Sequence, residues 1–248
     1  MSRANRVFKL GGCLIKCLVS LVIASICAFL LWRIFSSGDP KTMSTLSVNE
    51  NIHTAYQRDG EGLYMFRQNQ NSMTRTEKNY GYFGVTDSVF IPSANQAQLV
   101  FRYNNSTIEA LKNDYGLESE PARDEHLYDV TLLLAIDLTP DNKDDNASNS
   151  PESVRFVRVH ASSYTRDAKL MYNYYRYTFD IGSSGEDIAA LIDSGLLLAV
   201  YADIYYVNDV DYEAEPYGVL CIYDYLSENK TVEIKARDKR AFENFDSN

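Results

Sequence analysis

The chain has 248 residues, 24 of them basic and 34 acidic, for a formal net charge of −10, and 45% of its side chains are hydrophobic. Every acid follows Gly38 while five basic residues precede it, so the remainder carries a balance of −15. A surface of that sign repels phosphate backbones and anionic headgroups, which argues against nucleic acid and against a peripheral lipid-binding patch.

Residues 1–12 read as a short basic cytoplasmic tail and residues 13–35 as a transmembrane helix. Cys17 through Trp32 carry no charge, and Lys16 and Arg33 bracket them. A bilayer core of about 30 Å takes roughly 20 helical residues, so the span depends on those two side chains reaching the interfaces with their stems buried. Trp32 falls at interfacial depth. Arg3, Arg6, Lys9 and Lys16, with no acid before Asp39, set the N-terminus in the cytoplasm and residues 36–248 outside. A cleaved signal peptide shares the basic start and apolar core. Here the run is longer than a signal core, and its small-x-small candidate, Ser36-Ser37-Gly38, follows the bulky Ile34-Phe35. The expectation is an uncleaved single-pass anchor in the cell membrane.

Cys13, Cys17 and Cys27 belong to or flank that stretch. Cys221 alone lies outside it, within the apolar run Val219-Leu220-Cys221-Ile222. One external cysteine makes no internal disulfide, so the external domain rests on its core, with Cys221 read as a small buried hydrophobe.

Residues 36–62 read as a linker and lead-in, opened by the breaker cluster Ser36-Ser37-Gly38-Asp39-Pro40, with Leu46-Ser47-Val48 as a candidate edge strand. Residues 63–240 form the expected extracytoplasmic β-domain and 241–248 a tail. Strands are predicted over 63–66, within 80–91, and over 98–103, where Leu99, Phe101 and Tyr103 share a face; 68–79 is a loop. Ser106-Thr107-Ile108-Glu109 is a capping box opening a helix that Gly116 stops. Val130, Leu132, Leu134, Ile136 and Leu138 line one face of a strand, and 139–153 is a solvated loop. Strands over 154–160 and 170–181 flank a polar turn at 165–167. A second helix spans 186–193, begun by Ser183 or Ser184 and stopped by Gly195. Strands over 196–207, 217–226 and 231–237 complete the domain. Hairpin-sized connections with few crossover helices predict a mainly β fold: an antiparallel β-sandwich, Greek-key or jelly-roll-like, with two short helices, preceded by the transmembrane helix.

For chemistry, the three histidines, His53, His126 and His160, stand in no GxSxG, HExxH or paired-histidine context. No catalytic residue, cofactor or metal ligand is therefore expected. Asp209, Asp211, Glu213 and Glu215 alternate; extended, they would offer oxygens on one side to a hard cation, or simply face water. Asp209-Val210-Asp211 resembles the Asp-x-Asp metal–nucleotide motif of type II Golgi glycosyltransferases, which also carry an N-terminal anchor. That resemblance implies a nucleotide-sugar site, but the external region is short for those enzymes and no α/β nucleotide fold precedes the motif. Asn104, Asn105, Asn146 and Asn229 each begin an N-x-Ser/Thr triplet, as exposed positions do.

The tyrosines supply the candidate site. In an extended strand Tyr172, Tyr174 and Arg176 share one face, opposite Met171, Tyr175, Tyr177 and Phe179. With the second face in the core, the first displays two tyrosines and a cation, as protein- and glycan-binding surfaces do. The expected function is a non-enzymatic binding module, tethered to the membrane, for a protein partner or cell-surface glycan. The alternative is an extracytoplasmic hydrolase or glycosyltransferase-type enzyme using carboxylates at 209–215.

Overall fold

The structure, a computed structural model, describes residues 16–32, 43, 45–63, 65–69, 73–74, 84–122, 125–138, 153–168, 172–216, 218–224, 234 and 236–246. The chain divides into two compact units, one holding helix α1 (residues 16–32) and the other made of residues 39–168 and 172–248. Among the described residues no helix is long and apolar enough to cross a membrane. α1 lies inside the expected 13–35 span, and residues 13–15 and 33–35 lie outside the described ones.

The second unit is mainly β and antiparallel, as expected. Among the described residues nine strands join in one curled sheet, a half-barrel, in the order β1-β3-β4-β7-β6-β5-β8-β9-β2. These are β1 Phe66–Asn69, β2 Met73–Thr74, β3 Gly84–Ile91, β4 Gln96–Asn104, β5 Tyr128–Asp137, β6 Val154–Ala168, β7 Tyr172–Asp180, β8 Leu197–Tyr206 and β9 Gly218–Asp224. The division into two sheets implied by a sandwich is not drawn by the hydrogen bonds, because β6 belongs to both halves. Residues 154–160 of β6 pair with β5, and 161–168 pair with β7 after a bulge between Ala161 and Ser163. A bulge bends a strand and raises its twist, which is how one strand turns the sheet's corner.

Most residues predicted to face inward do so. Leu99, Phe101 and Tyr103 of β4, Tyr175, Tyr177 and Phe179 of β7, and Val130, Leu132, Leu134 and Ile136 of β5 share one core with Val200, Ala202 and Ile204 of β8. Leu138 falls beyond the end of β5 and is exposed. Phe66 and Phe90 approach Tyr223 of β9 at 5.9 and 6.0 Å between ring centroids, so residues from both ends of the strand order meet inside the curl.

The helices of the described residues are α1, α2 Glu50–Asp59, α3 Asn105–Asp114, α4 Ile188–Asp193 and α5 Ala236–Asp246. α3 and α4 are the two expected, with their starts corrected. Asn104 caps α3, its Oδ1 accepting from Thr107 N–H at 3.1 Å, and Asp187 caps α4 through Ala190 N–H at 3.2 Å. Gly116 and Gly195 stop them, both at positive φ; Leu117 N–H reaches back to Lys112 O, and Leu196 N–H to Leu191 O, each at 2.9 Å.

α2 and α5 are corrections. Residues 50–59 are expected as lead-in, 236–237 as the end of a strand and 241–248 as a tail, yet 50–59 and 236–246 form helices that bury a second face of the sheet; residues 231–233 and 235 lie outside the described ones. Ile52 and Ala55 of α2 and Phe242 of α5 pack with Leu46, Leu63, Met65, Val89 and Ile91, and Phe242 stacks on Tyr56. The apolar positions are sparse and each helix is otherwise polar, so tertiary burial rather than internal periodicity holds them. Residues 45–49 form no strand. The expected turn at 165–167 lies within β6, where these residues pair with Arg176, Tyr175 and Tyr174. The expected loop at 139–153 lies, apart from Ser153, outside the described residues.

Candidate binding surfaces

The face holding Tyr172, Tyr174 and Arg176 is the outer face of β7, opposite the core row, as the alternation requires. Its outward display is corrected for Tyr174, which is fully buried; Tyr172 and Arg176 are half-buried. The cause is the lead-in. Met43 packs with Val100 and Tyr174, and Arg176 Nη1 donates to Thr45 O at 3.0 Å. Burial lowers the Arg176 pKa. Tyr172 stays at the margin, its ring under the Arg102 guanidinium at 4.7 Å.

Four main-chain groups of residues 45–47 are held by side chains from three elements. Ser47 N–H donates to Gln98 Oε1 at 2.9 Å while Gln98 Nε2 donates to Ser47 O at 2.6 Å. Leu46 N–H donates to Asp238 Oδ1 at 3.0 Å, and Arg176 takes Thr45 O. Gln96 Oε1 accepts from Asn49 Nδ2 at 2.8 Å. Behind Asp238 lies a buried ion cluster: Arg67 Nη2 sits 3.1 Å from Asp238 Oδ2 and Arg67 Nη1 3.5 Å from Asp87 Oδ2, which Arg237 also approaches at 3.5 Å. Of these side chains the sequence singles out Arg176 alone, and for another role. The available signal was the alternation Gln96-Ala97-Gln98-Leu99, which marks a polar face on a strand but reads as a solvated one.

A different surface is left open on the outer face of β5, β6 and β8. Along β6, Phe156 is 57% exposed, Arg158 is half-buried and His160 is exposed. Arg158 lies over the rings of Tyr205 and Tyr212 at 5.5 and 5.6 Å, donates to the Tyr205 hydroxyl, and approaches Asp203 at 3.7 Å. His160 meets the Tyr212 ring edge-on at 4.7 Å. Tyr212 is brought there by the connection after β8: its hydroxyl donates to Asp129 Oδ2 at 2.6 Å. Burial first, then that carboxylate, push the Tyr212 hydroxyl up to about 12. Burial also raises Asp203, against the opposing pull of Arg158.

This placement decides the acidic run. The chain there is a tight turn, with Ala214 N–H on Asp211 O and Glu213 N–H on Asp211 Oδ1 at 3.0 Å. Asp211, Glu213 and Glu215 point into solvent and do not share a strand face; the side chain of Asp209 lies outside the described residues. Among the described residues no group of three or more His, Cys, Asp or Glu side chains is placed to hold a metal ion.

The other sequence candidates are scattered. His53 lies on α2 against Phe245. His126 stacks on Tyr164 at 4.2 Å between centroids, and its Nε2 lies 3.1 Å from the Tyr177 hydroxyl. Tyr177 donates in turn to Tyr128 O at 2.6 Å, so its oxygen accepts from His126 Nε2–H. Burial lowers the His126 pKa and raises that of Tyr177 well above its ordinary value. Cys221 is half-buried with its Sγ 3.3 Å from Tyr223 O. No family model, no curated protein and no solved structure matches this chain.

Proposed function

We propose that this chain is a single-pass protein of the cell membrane, N-terminus in the cytoplasm, whose extracytoplasmic β-domain is a non-enzymatic binding module for a protein partner or cell-surface glycan. The anchor is residues 13–35, of which α1 is the described part. The observation that carries the reading is that α1 exposes its large apolar side chains on every side, from Val22 at 47% to Leu21 at 68%. A helix apolar all round is stable only where lipid or another apolar surface covers it. The full 23-residue stretch would reach about 34 Å as a helix, enough for a bilayer core of about 30 Å.

Binding falls to the row Phe156, Arg158 and His160, beside Tyr212. It combines an exposed aromatic, an imidazole and a guanidinium stiffened between two tyrosine rings, the residue types that anchor interfaces and stack on sugars. A sandwich-like packing of the two halves of the curl, Greek-key or jelly-roll-like, belongs to the same reading and is supported by the Phe66 and Phe90 contacts with Tyr223.

Alkaline extraction of membranes together with protease treatment of intact cells tests the anchor. A C-terminal epitope should stay with the membrane pellet and be removed by external protease; an extractable or protected epitope would overturn the topology. Pull-down and glycan-array binding of the Phe156→Ala/Arg158→Ala chain test the surface, and unchanged partners would remove it.

A further inference from the structure

We infer that the outer face of β5, β6 and β8 takes a neutral oligosaccharide, laid along β6 with one sugar ring stacked on Phe156 and its hydroxyls on Arg158 and His160. This names the ligand class of the binding module proposed above and rests on that reading.

Phe156, Arg158 and His160 alternate onto one face of β6, opposite Ala135, Leu133 and Thr131 of β5. Alternate strand residues are about 7 Å apart, so the row runs about 14 Å. Phe156 is 57% exposed. Its neighbours across the sheet are Ala135 and then Ala199, whose methyl groups are too short to cover a phenyl ring.

The Arg158 guanidinium is held through one of its nitrogens. Nη1 donates to the Tyr205 hydroxyl and approaches Asp203, while the Tyr205 and Tyr212 rings lie beside the carbon. Among the described residues no protein group takes Nε or Nη2, and neither atom is buried. Those two N–H groups form the edge of the fork that binds two oxygens side by side, and a head already fixed loses little freedom on binding. His160 adds, at an exposed position, ring nitrogens that donate and accept.

Charge selects a neutral ligand. Asp203, in a side chain 5% exposed, stands against Arg158, and Asp129 holds Tyr212. Two carboxylates thus oppose one guanidinium, on a part of the chain whose balance is −15, which repels an anion. The sparse apolar area selects a sugar over a protein. On this outer face, among the described residues, Phe156 is the one large apolar side chain that is exposed. A protein interface of ordinary size buries about 1,200–2,000 Å² around a cluster of anchors, whereas a sugar ring needs one aromatic face and a few directed hydrogen bonds.

The test is a glycan array probed with the full chain in a detergent that carries no sugar headgroup. The array holds neutral hexose and N-acetylhexosamine oligosaccharides beside their sialylated and sulfated counterparts. Saturable binding to neutral oligosaccharides is expected, with the anionic ones weaker. Phe156→Ala, which removes an exposed ring, should weaken it about three- to tenfold at an unchanged far-ultraviolet circular dichroism spectrum. Arg158→Lys, which keeps the charge but not the fork, should weaken it about tenfold. A preference for the anionic glycans overturns the inference, and so does neutral binding that Phe156→Ala leaves unchanged. No glycan binding, with a protein partner lost from the Phe156→Ala/Arg158→Ala chain in pull-down, overturns it while upholding the binding module. No glycan binding and no partner lost overturns both.

Discussion

Replacing Asp238 by alanine removes the carboxylate at the centre of the buried ion cluster. Asp238 is fully buried, 3.1 Å from Arg67 Nη2, and holds Leu46 N–H at 3.0 Å. Its loss leaves the Arg67 guanidinium, in a side chain 3% exposed, to share Asp87 with Arg237. Truncating one member of a buried pair costs about 3–5 kcal/mol, because the remaining charge is stranded away from water. A solvent-exposed ion pair is typically worth only about 0.2–1 kcal/mol. Asp87 still compensates Arg67 in part, so the low end, about 3 kcal/mol, is expected. For a domain of this size that lowers Tm by roughly 6–12 °C. The assay is thermal unfolding of the full chain in detergent followed by far-ultraviolet circular dichroism. Fluorescence of the single tryptophan, Trp32, would report α1 instead of the sheet. The double variant Arg67→Met/Asp238→Leu should recover most of the loss, since apolar replacement of a whole buried pair is close to neutral. A loss below about 1 kcal/mol for Asp238→Ala, the scale of a surface pair, would refute the reasoning.

Stability should also fall with acid through His126. Burial holds its folded pKa below the ordinary value of 6.5, so the unfolded chain takes up the proton first. The neutral-histidine contribution is intact above about pH 6.5 and is lost as pH falls through that value toward the lowered one; a His126→Gln chain should show a flatter Tm profile across that window, and identical profiles would count against it. Asn104→Ala removes the acceptor for Thr107 N–H and Oγ1 and should cost about 1 kcal/mol in urea unfolding with an unchanged m-value. Tyr212→Phe deletes the hydroxyl bonded to Asp129. It should cost about 1 kcal/mol and speed hydrogen exchange at 207–216, with α3 unaffected.

Much of the sheet was legible because strand alternation is local. Val130, Leu132, Leu134 and Ile136 announce a buried face by spacing alone, and so do Tyr175, Tyr177 and Phe179. Helix α3 was legible through Gly116, since a stop needs only a residue that tolerates positive φ. Its true cap, Asn104, was missed because Ser106 offers the same local chemistry two residues later, and only the path of β4 selects between them. α2 and α5 were missed for a different reason. Their few apolar residues, Ile52, Ala55 and Phe242, gain meaning only once β3 and each other are in place.

The sequence by itself determined the mainly β, antiparallel class, the inward rows of β4, β5 and β7, the two internal helices and the sharp division between a basic apolar start and an acidic remainder. These follow from periodicity and charge, which act over a few residues. Tertiary structure alone decided that Tyr174 is covered, that Gln98, Arg176 and Asp238 converge on residues 45–47, and that Tyr212 folds back onto Asp129 and so turns the acidic run away from a shared face. Each joins positions from different parts of the chain. Whether a tyrosine faces water or a glutamine faces a peptide depends on which distant segment lies over it.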